Sequence, residues 1–121
     1  MTEPKPRILS VDDEPNLRKV LGALLTQAGY EVVTEADAAS GLARFKASPR
    51  GAFDAVITDL RMPGLDGEPA EDGGMQLLRA LLEEDPSLPV IVLTAHGTVD
   101  TAVEAVKSGA LDFLEKPFDR Q

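Results

Sequence analysis

Short apolar runs alternate along this chain with longer segments whose leucines and alanines recur at helical spacing. Five such runs, each of three to five residues, are rich in β-branched or other aliphatic side chains. Runs this short and this apolar are typical of parallel strands covered on both faces, since a half-exposed strand would alternate polar and apolar residues. The predicted strands cover residues 8–11, 30–34, 55–57, 90–93 and 111–114.

The segments between these runs carry the pattern of amphipathic helices. Leucine and valine recur at helical spacing over residues 17–25, and Gly29 follows as a stop signal. The fourth helix has the clearest ends, with Thr98 placed as its N-terminal cap, Lys107 in its last turn and Gly109 just beyond. The other two predicted helices cover residues 38–47 and 75–84, the latter ended by Asp85 and Pro86.

This alternation of strands and helices predicts right-handed crossovers and an open, doubly wound α/β sheet. We expect five parallel strands in the order 2-1-3-4-5, which is the flavodoxin-like arrangement. In such sheets ligands bind beyond the carboxyl ends of the strands, at the point where the strand order reverses. That point lies between the first and third predicted strands, so we expect a functional site there.

The composition limits which kinds of protein this chain can be. Its 121 residues suffice for one core, and no apolar run approaches the roughly 18 residues of a membrane span. No secretory leader is predicted either, and we expect a cytoplasmic domain without membrane contact. Cysteine is absent and His96 is the only histidine, which leaves oxygen atoms to bind any metal. The net charge of −9 disfavours direct contact with nucleic acid.

Polar and charged side chains follow the carboxyl ends of four predicted strands. Because parallel strands end at one edge of a sheet, these side chains should converge. Carboxylates that converge repel one another unless a cation compensates, and Mg²⁺ is the natural choice because it prefers oxygen ligands. We predict a magnesium site with Asp13 and Asp59 as ligands. The full set is Asp12 and Asp13 after the first strand, Asp59 after the third, Thr94 after the fourth and Lys116 after the fifth.

Each of these residues also has an ordinary structural explanation. Asp12 and Asp13 stand shortly before Pro15, where acidic residues satisfy the free N–H groups of a helix start. Asp59 suits the start of a turn, and Lys116 suits an exposed surface position. Their joint occurrence at the strand ends of one sheet favours the functional interpretation.

Four segments of the chain resemble the receiver domain of two-component response regulators. They are VDDE at 11–14, TDLRMPGLDG at 58–67, LTAHG at 93–97 and DFLEKPF at 112–118. The resemblance covers nearly the whole chain, and the last two segments are similar to receivers that precede AAA+ transcription activators. It implies a CheY-like fold and a switch in transcription regulation that is not a conventional turnover enzyme.

The resemblance also implies roles in phosphoryl transfer. A sensor histidine kinase would present a phosphohistidine, and the Asp59 carboxylate would attack its phosphorus to form an acyl phosphate. Lys116 and Mg²⁺, for which Mn²⁺ can substitute, would stabilise charge on the transferred group. Asp13 would bind the metal directly, Asp12 would orient it through water, and the backbone carbonyl of Arg61 would complete the protein ligands.

A switch that reports phosphorylation follows from the same resemblance. Thr94 would hydrogen-bond a phosphoryl oxygen and draw the following loop inward, and Phe113 would then turn toward the core. The surface of the fourth helix and fifth strand would contact an output domain or effector. Phe113 also suits an ordinary core position. Arg61 and His96 are candidates for setting the lifetime of the phosphoryl group, although a lone histidine is more often a bystander.

Two features depart from the family pattern. Residues 68–74 lengthen the connection to the third helix, and we favour a tolerated surface insertion over a role in kinase docking. No fifth helix follows the DFLEKPF segment before Gln121. We therefore expect either that residues 1–121 are an N-terminal receiver module cut from a longer regulator, or a homodimer that covers the open sheet face.

Rival functions fit parts of this pattern. A phosphatase of the haloacid dehalogenase type also forms an aspartyl phosphate, but it would need Asp-x-Asp after the first strand, where this chain has Asp12 beside Asp13. A nucleotide-binding module is disfavoured because neither glycine-rich phosphate loop occurs. A receiver-like interaction module that is never phosphorylated is the third alternative, and the complete set of strand-end residues argues against it.

Overall fold

Five strands alternate with four helices in a computed structural model that describes residues 5–62, 73–94 and 99–115. The predicted alternation is confirmed. The prediction that no fifth helix follows concerns residues outside those ranges. In chain order the elements are β1 (Arg7–Val11), α1 (Pro15–Gln27), β2 (Glu31–Glu35), α2 (Ala38–Ala47), β3 (Ala55–Asp59), α3 (Gly73–Glu84), β4 (Val90–Thr94), α4 (Val99–Lys107) and β5 (Asp112–Glu115).

All five strands are parallel and follow the predicted order β2-β1-β3-β4-β5. The central strands β1, β3 and β4 are largely buried, whereas the edge strands β2 and β5 are half-buried or exposed. The register pairs Val11 with Thr58 and Asp59 with Leu93, so the three central strands end close together. The strand order reverses between β1 and β3, which places the ligand-binding crevice at that point.

Strands β3 and β4 extend further than the apolar pattern predicts. Asp59 and Thr94 are the last residues of their strands rather than the residues that follow them. The N–H of Leu60 still donates to the Leu93 carbonyl at 3.0 Å, so the ladder between the two strands continues past the apolar run. Backbone hydrogen bonds do not depend on side-chain polarity, and an apolar pattern therefore underestimates such strands.

Local signals explain both ends of α1 and the start of α2. Pro15 occupies the first turn of α1, and Gly29 follows that helix with a φ of 103°, a conformation that favours glycine. Asp37 caps α2 by accepting a hydrogen bond from the Ser40 N–H at 2.7 Å. Helix α4 has the predicted bounds, while its predicted cap, Thr98, lies outside the described residues.

Helix α3 begins two residues earlier than the sequence pattern predicts. Gly73 and Gly74, which were assigned to the inserted stretch 68–74, form its first turn and are buried. Glycine is a poor helix former, so local propensity favours a loop at this place. The N–H groups of both glycines instead bond the chain that follows β3, and this tertiary contact stabilises the helical start. The connection before α3 therefore ends at residue 72 rather than at residue 74.

The helices cover both faces of the sheet. Helices α2, α3 and α4 contribute to a large buried cluster on one face, and α1 packs on the other face through Leu21. This arrangement confirms the doubly wound α/β fold. The large cluster includes Leu77, Leu78 and Leu81 of α3, and the smaller one contains Ile8, Leu21, Ile57 and Leu93.

Ser10 is a buried polar residue in the middle of β1. Its side chain is 1% exposed, and its hydroxyl has no hydrogen-bond partner in the part of the chain that the structure describes. Leaving a buried hydroxyl unsatisfied is unfavourable, so Ser10→Ala is expected to raise the free energy of unfolding by about 1 kcal/mol. Urea denaturation followed by circular dichroism would measure it.

Ser48→Ala is the matched control for that substitution. The Ser48 hydroxyl donates to the Arg44 carbonyl at 2.8 Å, so its removal should leave stability unchanged or slightly lower. A Ser10→Ala variant less stable than the parent chain would contradict the expectation, because it would show that the Ser10 hydroxyl is paired.

Candidate functional site

Three aspartates meet at the carboxyl ends of β1 and β3. Asp12 and Asp13 directly follow β1, and Asp59 ends the neighbouring strand β3. One carboxylate oxygen of each lies within 4.8 Å of the others, and we call these three residues the acidic cluster. Asp12 is 1% and Asp59 5% exposed, whereas Asp13 is open to solvent. The structure thus brings together the aspartates that were predicted at this edge.

The acidic cluster has the chemistry of a divalent-cation site. Two of its carboxylates are shielded from water, so their mutual repulsion is weakly screened and a cation would relieve it. Mg²⁺ prefers oxygen ligands and keeps several waters, which the exposed side of Asp13 leaves room for. The residues present therefore fit a partly hydrated Mg²⁺ ion, and Mn²⁺ has similar ligand preferences.

Hydrogen bonds to Asp12 hold the turn between β1 and α1. Its carboxylate accepts a hydrogen bond from the Glu14 N–H at 2.8 Å, and its own N–H donates to the Glu35 carbonyl at 3.1 Å. Its carbonyl accepts one from the Arg18 guanidinium at 2.7 Å. Asp12 therefore stabilises the turn before α1 in addition to its place in the acidic cluster. No sequence pattern indicated a role for Arg18, because its bond ends on a backbone atom six positions away.

Asp59 lies between Thr58 and the turn that follows β3. The Thr58 hydroxyl donates to the Asp59 carbonyl at 3.0 Å, and the Arg61 N–H makes a long hydrogen bond of 3.4 Å to the Asp59 carboxylate. Thr94 is buried at the end of β4. Because Asp59 pairs with Leu93, Thr94 stands one position beyond Asp59 on the neighbouring strand, at the edge where it was predicted.

Of the other predicted site residues, Phe113 is described by the structure, whereas Lys116 and His96 are not. Phe113 lies in β5, is half-buried and packs against the large core cluster, which agrees with a core position. Lys116 and His96 lie outside the described residues, so their roles stay predictions.

The start of α3 lies against the backbone that carries Asp59. The Gly74 N–H donates to the Leu60 carbonyl at 3.0 Å, and the Gly73 N–H donates to the Met62 carbonyl at 2.8 Å. A Cβ atom on Gly74 would overlap the Asp59 carbonyl oxygen and the Leu60 Cα. Glycine is needed at this close approach, and the adjacent Gly-Gly pair just before a helical pattern was the available sequence signal.

Sequence similarity decides the class of protein. The family model for the response regulator receiver domain matches residues 8–121. The chain belongs to the response regulator receiver domain family. Phosphorylation on aspartate is the hallmark of receiver domains, and they bind Mg²⁺ through an acidic pocket of the kind seen here. They are signalling domains rather than conventional enzymes.

This receiver domain is similar to parts of transcriptional regulators. It is 46% identical over 113 residues to the C4-dicarboxylate transport transcriptional regulatory protein DctD of Pseudomonas aeruginosa, covering 93% of this chain and 22% of that protein. It is 42% identical over 120 residues to the transcriptional regulatory protein GlrR of Escherichia coli, covering 99% and 25%. The chain thus spans a quarter or less of the length of these two relatives.

A solved receiver structure has the same fold. The response regulator receiver domain protein from Clostridium thermocellum matches this receiver domain with a TM-score of 0.81 at 38% identity, covering 93% of this chain and 82% of that one. The predicted CheY-like fold is confirmed. Within residues 5–62, 73–94 and 99–115, no helix has the length and apolar character to cross a membrane.

Proposed function

We propose that this receiver domain is a phosphorylation-dependent switch of a two-component pathway. A sensor histidine kinase would transfer a phosphoryl group to Asp59 with Mg²⁺ at the acidic cluster, and the change would be relayed to an output that regulates transcription. One observation carries this proposal. The buried carboxylate of Asp59 lies at the end of a central strand, within 4.8 Å of the carboxylates of Asp12 and Asp13.

Asp59 is the proposed nucleophile. One of its carboxylate oxygens attacks the phosphorus of the kinase phosphohistidine, and an O–P bond forms as the P–N bond breaks and the imidazole leaves with the bonding pair. Catalysis of such a transfer is mainly positioning and charge stabilisation. The hydrogen bond from the Arg61 N–H to the Asp59 carboxylate supports this role, because it restricts the orientation of the acceptor group. The bond from the Thr58 hydroxyl holds the Asp59 backbone carbonyl.

The acidic cluster would hold the metal beside this acceptor. When bound, Mg²⁺ offsets the charge of the aspartates and of the transferred phosphoryl oxygens. Asp13 and Asp59 would be direct ligands, and Arg61 would add its backbone carbonyl. Asp12 would orient the metal through water, while its carboxylate also accepts the hydrogen bond from the Glu14 N–H.

The response to phosphorylation would begin at Thr94. Its hydroxyl would donate to a phosphoryl oxygen, and Lys116 would provide a positive charge to the same group. The buried position of Thr94 beside β3 supports this assignment. Phe113 would turn further into the core, and Arg61 and His96 would set how quickly water hydrolyses the acyl phosphate.

The signal would leave through α4 and β5. Among the residues that the structure describes, four large apolar side chains are exposed on and around these elements, with Leu111 as much as 65% exposed. Exposed apolar patches of this kind mark interaction surfaces, here for an output domain, an effector or a second copy of the chain. The net charge of −9 supports an output that contacts DNA through another part of the regulator. The four side chains are Val103, Val106, Leu111 and Leu114.

Intact-mass spectrometry after incubation with acetyl phosphate and Mg²⁺ tests the proposed acceptor. The parent chain should gain one phosphoryl group, and both Asp59→Asn and addition of EDTA should abolish the gain, because each removes a required part of the site. Asp54→Asn is the matched control. Asp54 precedes β3 and accepts a hydrogen bond from the Arg7 N–H at 2.8 Å, so its substitution should leave the gain intact.

Either of two results would contradict the proposed function. Phosphorylation that persists in Asp59→Asn would place the acceptor elsewhere. A parent chain that takes up nothing from acetyl phosphate or from a phosphorylated kinase would instead support the interaction module that is never phosphorylated.

A further inference from the structure

Among the described glycines, Gly74 is the one at which an added Cβ would meet the backbone of the proposed acceptor. An ideal Cβ on Gly74 would overlap the Asp59 carbonyl oxygen and the Leu60 Cα, and it would lie 2.9 Å from the Asp59 carbonyl carbon. All three are backbone atoms, which cannot rotate aside as the end of a side chain can. Any side chain at residue 74 would therefore move either α3 or the peptide that joins Asp59 to Leu60.

That peptide and the next one, between Leu60 and Arg61, are both held by hydrogen bonds. The Leu60 N–H donates to the Leu93 carbonyl of β4 at 3.0 Å, and the Leu60 carbonyl accepts from the Gly74 N–H of α3 at the same distance. The Asp59 carbonyl accepts from the Thr58 hydroxyl at 3.0 Å. Rotation of this peptide would reorient the Asp59 carboxylate and the carbonyl groups that follow it.

Helix α3 is itself firmly anchored. Leu77, Leu78 and Leu81 are fully buried in the large core cluster, so the first turn of the helix has a defined position relative to the sheet. Because the helix is fixed and contacts the Asp59–Leu60 peptide directly, it can also fix the position of Asp59.

We propose that Gly74 is a positioning residue for phosphoryl transfer. Its missing side chain lets the first turn of α3 press against the Asp59–Leu60 peptide and orient the Asp59 carboxylate toward the carboxylates of Asp12 and Asp13. This role rests on the proposed function of Asp59 as acceptor, but it makes a separate claim about metal binding. Displacement of Asp59 should weaken Mg²⁺ binding whether or not a phosphoryl group is transferred.

Gly74→Ala is the direct test. At saturating Mg²⁺ we expect the maximal rate of phosphorylation by acetyl phosphate to fall about 100-fold, because moving a reacting group by an ångström can slow a reaction by that factor. The concentration of acetyl phosphate that gives half-maximal rate should change little, since no binding group for the donor is removed. Mg²⁺ affinity, followed by the amide resonances around Asp59, should fall in the same variant.

Two other glycines provide matched controls. Gly22 lies within α1 with open space around it, so Gly22→Ala adds a methyl group without a clash and should change neither rate nor affinity. Gly109 has a φ of 121° after α4, at the opposite end of the sheet, and Gly109→Ala should destabilise the fold without touching the acceptor. All rates are compared at a temperature where circular dichroism shows each variant folded.

The outcomes separate the two proposals. If Gly74→Ala matches Gly109→Ala in both rate and Mg²⁺ affinity, Gly74 has only a structural role and the inference is wrong. A parent chain that binds Mg²⁺ but is never phosphorylated would refute the proposed function, and Mg²⁺ affinity alone would then decide the role of Gly74.

A measurement on the parent chain covers the case in which Gly74→Ala does not fold. The Gly74 N–H is bonded to the Leu60 carbonyl, so Mg²⁺ bound beside Asp59 should slow hydrogen exchange at the Gly74 amide several-fold. Exchange at the Gly22 amide should not respond. A Gly74 amide that is equally insensitive to Mg²⁺ would overturn the inference.

Discussion

Asp13→Asn is expected to weaken Mg²⁺ binding to this receiver domain by about 100-fold, or about 3 kcal/mol. The substitution keeps the size of the side chain and removes one of three negative charges that lie within 4.8 Å of one another. In the absence of metal the same substitution should stabilise the fold, because removal of a repelling charge should raise the melting temperature. Calorimetric Mg²⁺ titration and thermal melts with and without Mg²⁺ would measure both effects.

Glu14→Gln is the control for loss of charge alone. Glu14 is exposed beside the acidic cluster but is not one of its three members. Its neutralisation should change Mg²⁺ affinity only slightly, since exposed charges are well screened. Equal losses in Asp13→Asn and Glu14→Gln would show that the cluster attracts the cation only through its general negative potential, and would contradict direct binding by Asp13.

Leu78→Ala is expected to lower the free energy of unfolding by about 3 kcal/mol. Leu78 is completely buried in the large core cluster, where alanine would leave a cavity between α3 and the sheet. A single domain has roughly 5–15 kcal/mol of stability in all, so this loss is a large fraction of it. Chemical denaturation of both proteins, with the slope of the transition compared, would give the difference.

Leu24→Ala is the control for removing the same atoms from a helix. Leu24 lies in α1 and is 44% exposed, so its truncation should cost less than about 1 kcal/mol. A Leu78→Ala variant no less stable than Leu24→Ala would mean that α3 repacks freely. Helix α3 could then not define the position of the Asp59 peptide.

Hydrophobic periodicity predicted most of the fold. The central strands are covered on both faces, so their apolar runs stand out, and the helices between them keep one apolar side. Strand order and the position of the crevice followed from general rules for parallel sheets. The acidic cluster was predictable for the same reason, because Asp12, Asp13 and Asp59 stand at the ends of strands that the pattern identifies.

Contacts between distant backbone segments were not predictable in the same way. The pattern placed Gly73 and Gly74 in a loop, because helix propensity is local and the bonds that stabilise this helical start come from Leu60 and Met62. The guanidinium of Arg18 meets the Asp12 carbonyl only once the turn before α1 has formed. A linear pattern reports which side chains are apolar, but not where carbonyl groups point.

The hydrogen bond of 2.8 Å between the Gly73 N–H and the Met62 carbonyl has a consequence for how this domain can vary. It joins Met62 and Gly73, the two residues that flank positions 63–72, so both ends of this connection are held next to each other. Closing a flexible loop twice as long costs only about 0.6 kcal/mol more. Lineages could lengthen this connection, and protein engineers could graft a reporter peptide into it. The contact between the start of α3 and the backbone of Asp59 and Leu60 would be preserved.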